Sequence, residues 1–127
     1  MKALIKDFLN HKTFAVAGSF RNESKYAYKI FRTLKKKGHT VFPINPKIDA
    51  VDGVRCWADV SDVPDHIDVA VLVTPPAVTE KIVCTCYVSG INKIWMQPGA
   101  ESPRAVQFCK NNQMAIVYNL CVMLESQ

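Results

Sequence analysis

The chain has no uncharged apolar run near the ~20 residues that would span a bilayer, and Met1 to Leu9 lacks the long apolar stretch of a secretion signal. These absences argue against a membrane helix and make the cytoplasm the default location. The G-x-G-x-x-G fingerprint of dinucleotide domains is missing too, as is the carboxylate that would hold a ribose about 20 residues further on. No RNP-like aromatic motif, zinc-finger spacing or basic helix accompanies the net charge of +5, and the densest basic run, Lys35-Lys36-Lys37, falls at a helix end where cations suit the dipole. A nucleic-acid partner is therefore not expected.

Five cysteines, an odd number without a signal peptide, read as reduced thiols: Cys56, Cys84, Cys86, Cys109 and Cys121. Cys84-x-Cys86 has one residue where a zinc or redox pair has two, and no histidine lies nearby, so both read as small buried hydrophobes rather than metal ligands. The three histidines, His11, His39 and His66, lie away from the loops that matter below. No nucleophile, base and orienting group can be assembled from the chain, so no catalytic residue is assigned.

What is present is an alternation of apolar runs and amphipathic stretches across 127 residues, the size of one domain, 1–127. Leu4, Ile5, Phe8 and Leu9 recur at helical spacing and predict a short helix over 2–10. Strands are expected at 13–18, 40–45, 54–57, 68–73, 92–96 and 114–118. Helices are expected from about Glu23 to Lys37, from Pro76 to Ser89 with Val78, Ile82, Val83 and Cys86 inward, and from Pro103 to about Asn111 behind a Ser102 cap. Ser61 to Val63 suggests one helical turn. Continuous apolar strands separated by helices imply an α/β fold, a Rossmann-like doubly wound sheet of about five parallel strands with helices on both faces.

In such sheets ligands sit beyond the carboxyl ends of the strands. The first strand breaks at Ala17-Gly18-Ser19 and feeds through Phe20 and Arg21 toward Ser24 and Lys25, placing backbone N–H groups and a helix start where an anion is favoured. The second ends at Asn45-Pro46-Lys47, a lysine where a nicotinamide site would carry a carboxylate; a cation there suits a ribose phosphate, so NADP or coenzyme A fits better than NAD. The later ends read Thr74-Pro75-Pro76, Gln97-Pro98-Gly99-Ala100-Glu101 and Asn119-Leu120-Cys121. Glu101 is expected to interact with the start of the 102–111 helix, and Cys121 to pack in the core although its strand end faces the crevice.

Together, Val16-Ala17-Gly18-Ser19, Phe42-Pro43-Ile44-Asn45-Pro46-Lys47, Gly53-Val54-Arg55-Cys56-Trp57, Val71-Leu72-Val73-Thr74-Pro75-Pro76, Trp95-Met96-Gln97-Pro98-Gly99 and a late Cys121 resemble the small stand-alone CoA-binding proteins. These are similar to the CoA-binding domain of the succinyl-CoA synthetase α subunit, and the likeness runs over about 12–124. The resemblance implies that Gly18, Ser19, Phe20, Arg21, Ser24 and Lys25 hold the CoA diphosphate and that Asn45, Pro46 and Lys47 lie along the ADP portion. It implies that Thr74, Pro75 and Pro76 wall the adenine or the start of the pantetheine arm, and that Gln97, Pro98 and Gly99 line the far side. The first turn departs from the family's frequent Gly-Ala-Ser, and Leu120 stands where many relatives carry a basic residue. The synthetase works through a phosphorylated histidine in a second domain, which has no counterpart here, so ligase activity by this chain alone is not expected. The leading expectation is a cytosolic module that binds CoA or acyl-CoA without catalysis, as a possible homodimer or with another protein partner. The alternatives are a nucleotide-binding subunit or fragment of an acyl-CoA ligase or NADP-linked enzyme, and an interaction domain whose crevice is vestigial.

Overall fold

The computed structural model describes residues 2–22 and 24–127. In chain order the elements are α1 (Lys2–Leu9), β1 (Thr13–Gly18), α2 (Tyr26–Lys36), β2 (Thr40–Ile44), β3 (Ala50–Val51), β4 (Val54–Arg55), a 3-10 turn (Val60–Asp62) and β5 (Val69–Val73). There follow α3 (Pro76–Val88), β6 (Lys93–Met96), α4 (Pro103–Asn111), β7 (Ala115–Tyr118) and α5 (Val122–Glu125). Five strands form one parallel sheet in the order β2-β1-β5-β6-β7, while β3 and β4 pair as a small antiparallel ribbon.

Alternation along each strand sends successive side chains to opposite faces. Phe14, Val16, Val69, Val71, Trp95 and Val117 pack on one face with α1, α2 and α5. Ala15, Ala17, Ala70, Leu72, Ile94 and Met96 pack on the other with α3 and α4. Both faces are covered, so the doubly wound α/β sheet read from the sequence is borne out. On the first face Trp95 is fully buried, edge-on to Phe8, and its indole N–H donates to the Leu120 carbonyl at 2.8 Å. That bond ties the segment before α5 to the middle of the sheet.

Several boundaries differ from the sequence reading. The expected helix start at Glu23 lies outside the described residues; α2 begins at Tyr26, buries Ala27, Ile30, Phe31 and Leu34, and ends before Gly38 at φ +96°. The expected strand over 54–57 is cut to Val54–Arg55, because Trp57 leaves the ribbon. Its backbone instead pairs in parallel beside β2 at Ile44, with Trp57 N–H donating to Pro43 O at 3.0 Å and Asn45 N–H donating to Trp57 O at 2.9 Å. In α3 the inward residues are Thr79, Val83 and Cys86, with Ile82 half-buried and Val78 exposed. The helix is turned so that the Thr79 hydroxyl meets that of Thr74 at 2.7 Å. Cys84, expected to be buried, is exposed on the same helix.

Candidate functional site

Between β1 and β5 the strand order reverses, and the carboxyl ends of β1, β2 and β5 open onto a cavity of about 890 Å³. Its first wall is the loop Ala17 to Arg21. A Cβ on Gly18 would stand 2.8 Å from the Ala27 Cβ and 2.9 Å from the Val73 carbonyl oxygen. Glycine is therefore required here by the close approach of α2 and β5 to the carboxyl end of β1, not by a special φ. Phe20 is buried edge-on to Phe31 and anchors the loop in the core. With the loop held at both points, the N–H groups of Ser19, Phe20 and Arg21 have no hydrogen-bond partner among the described residues. This is the polarity an anionic ligand needs.

The second wall is Asn45 to Ile48. The Asn45 carboxamide is a clamp: Nδ2 donates to the Gly18 carbonyl at 2.7 Å, and Oδ1 accepts from the Lys47 N–H at 2.8 Å. It locks the ends of β1 and β2 together and sets the path of Lys47, which is exposed in the crevice. Thr74 and Pro75 form a third wall, continued down α3 by Val78, Lys81 and Ile82, which share a helix face at i, i+3 and i+4. Ala50, Ala58, Asp59 and Val60 close the remaining side. Arg21, Lys47 and Lys81 against the single carboxylate of Asp59 leave the cavity electropositive.

The crevice thus gathers Gly18, Ser19, Phe20, Arg21, Asn45, Pro46, Lys47, Thr74 and Pro75 from the residues singled out in the sequence. Ser24, Lys25, Pro76, Gln97, Pro98 and Gly99 do not line it. The Ser24 N–H and hydroxyl both turn to Asn22 Oδ1, Lys25 stands at the N-cap of α2, and Pro76 is the first residue of α3. Gln97 is buried under the end of β6, where Oε1 accepts from the Val122 N–H at 2.8 Å and Nε2 donates to Cys121 Sγ at 3.3 Å. It holds the chain entering α5. The Glu101 carboxylate turns back to accept from the Gly99 N–H at 3.0 Å instead of serving the start of α4.

Sequence reasoning missed the α3 face and the segment from Ala58 to Val60. For α3 the sequence shows the spacing of Val78, Lys81 and Ile82, but apolar residues on several sides of the helix hide its phase. Burial suppresses the thiolate at two cysteines: Cys86 is pushed up to about 12 and Cys109 to about 11, in each case first by desolvation and then by a neighbouring thiol.

A parallel five-stranded sheet with a basic crevice at its switch point defines a Rossmann-like α/β domain built to receive a ligand at the strand ends. The chain belongs to the CoA-binding domain family, whose model matches residues 12–127. It is similar to the ADP-forming acetate–CoA ligase of Methanocaldococcus jannaschii, 39% identical over 80 residues that cover 63% of this chain and 11% of that protein. It is also similar to the solved structure of a conserved hypothetical protein from Pyrococcus furiosus, 33% identical with a TM-score of 0.86, covering 91% of this chain and 99% of that one. A hypothetical protein from Pyrococcus horikoshii superposes with a TM-score of 0.94 at 28% identity, over 98% of this chain and 89% of that one. The chain spans only about a tenth to a fifth of the curated relatives it matches, 11% of the first and 19% of the α subunit of acetate–CoA ligase II from Pyrococcus furiosus. Among the described residues no helix is long and apolar enough to cross a membrane.

Proposed function

We propose that residues 1–127 act as one cytosolic CoA-binding domain, taking up coenzyme A or an acyl-CoA in the crevice between β1, β2 and β5 without performing chemistry on it. One observation carries this reading: in a chain of the CoA-binding family, the unpaired loop amides of Ser19 to Arg21 and the lysine of Asn45-Pro46-Lys47 open onto one electropositive cavity. The diphosphate sits on those amides beside Arg21, and the phosphorylated ribose lies by Lys47. Thr74 and Pro75 wall the path of the pantetheine arm. The arm continues past the carboxyl end of β5 toward exposed Pro98 and Gly99. Phe20, Asn45 and Gln97 act by positioning.

Thermal shift and calorimetry with CoA and 3′-dephospho-CoA test the proposal. A ligand at a hundred times its Kd stabilises a domain by about 2.7 kcal/mol, enough to raise Tm by several degrees. Lys47→Ala is expected to weaken CoA by about tenfold and 3′-dephospho-CoA much less, as befits loss of one charge-assisted contact. No binding of CoA at millimolar concentration would overturn the reading.

The match to a small part of ADP-forming acetate–CoA ligases favours a second reading, in which the domain serves as the nucleotide-binding part of such an enzyme. Co-purification of a second subunit with CoA-dependent nucleotide hydrolysis would establish it.

A further inference from the structure

One group in the crevice runs against its charge. Asp59 is half-buried and lines the same cavity as Arg21, Lys47 and Lys81. A carboxylate in a site for a polyanion costs affinity unless the ligand brings it a hydrogen-bond donor. Its orientation is fixed: Oδ1 accepts from the Ser61 N–H at 2.9 Å and the Ser61 hydroxyl at 2.8 Å, which caps the 3-10 turn. The other oxygen, Oδ2, has no partner among the described residues, in either a hydrogen bond or an ion pair. Apolar residues line the same cavity, Val60 from its own segment and Val78 and Ile82 from α3. A flat aromatic ring suits such walls, and a rigid carboxylate at their edge suits an amine on that ring.

Resting on the CoA reading, we infer that Asp59 accepts a hydrogen bond from the exocyclic amine of the ligand's base, so that the crevice selects adenine over a 6-oxopurine. The phosphates are met by the loop amides and Lys47, which leaves the base amine as the ligand's donor for Asp59. A 6-oxopurine would aim a carbonyl oxygen at the carboxylate and meet repulsion in place of a bond.

Calorimetry with CoA and deamino-CoA, in which the adenine amine is replaced by a carbonyl oxygen, tests this directly. The wild-type chain is expected to bind CoA more tightly by about tenfold or more, the usual range for a site left with an unmatched polar group. Asp59→Asn keeps an amide oxygen for Ser61 and presents an N–H donor to the base, so the two ligands should come within about threefold of each other. Equal wild-type affinity for the two, or an undiminished preference in Asp59→Asn, overturns the inference and leaves the CoA reading standing. Failure of the wild-type chain to bind CoA at all removes both.

Discussion

At the scale of single residues the most constrained position is Gly18, and the constraint comes from inside the fold. Its missing side chain makes room for Ala27 and the Val73 carbonyl, so the same glycine that shapes the ligand loop also seats α2. Gly18→Ala is expected to destabilise the domain by about 1–3 kcal/mol, since backbone and a buried neighbour must move to admit a methyl group. Chemical denaturation would measure it. Gly38→Ala is the control: nothing lies within 4 Å of the added Cβ, and only the strain of φ +96° remains, about 1 kcal/mol. Asn45 was legible as a loop residue at the end of β2. That its amide is spent on Gly18 and Lys47 was not, because a clamp between residues 27 apart in the chain exists only once β1 and β2 are neighbours.

At the scale of elements, caps and stops were readable and helix phase was not. Ser102 before Pro103 marks the start of α4, and its hydroxyl accepts from the Ala105 N–H at 3.0 Å. The same hydroxyl donates to Glu80 on α3 at 2.7 Å, joining the two helices on that face. Ser102→Ala should therefore cost about 1–2 kcal/mol, at the upper end for a cap because a partly buried carboxylate also loses its donor. Urea denaturation of the variant beside Glu80→Gln, which keeps an acceptor for the hydroxyl, separates the two contributions. In α3 the local pattern offers apolar residues on several sides, and the choice among them follows from the Thr74–Thr79 contact and the packing of α4. Val78 consequently faces the cavity, and Lys81 and Ile82 accompany it.

At the scale of the whole molecule the two ends of the sheet carry different electrostatics. The ligand end is basic. At the amino end, the Asp68 carboxylate accepts from the Lys12 and Thr13 N–H groups, with His66 at 3.1 Å and His11 at 3.7 Å. His11 also approaches Asp7 of α1, which pairs with Lys93 of β6 at 3.2 Å, while His39 packs its ring on Phe14. Burial raises the Asp68 carboxyl, but the hydrogen bonds from Thr13 and Lys12, with His11 nearby, outweigh it and hold the group below its ordinary value of 3.8. A depressed carboxyl stabilises the fold above that ordinary value, and the contribution disappears as pH falls through the folded-state value. Asp68→Asn should lower stability at neutral pH and flatten the loss of stability below about pH 4, as followed by denaturation midpoints across pH.

The sequence by itself determined the alternation of strands and helices, the doubly wound sheet, the family, and the strand ends at Gly18, Asn45 and Thr74. These follow from local periodicity, turn chemistry and motif order, all carried by neighbours along the chain. Tertiary structure alone decided that Gln97 faces inward to hold α5, that Glu101 serves its own loop, and that Asp59 and Lys81 enter the crevice. Those placements depend on which segments meet across the sheet and on the rotation of α3. Both are set by packing between residues far apart in sequence, which no local pattern encodes.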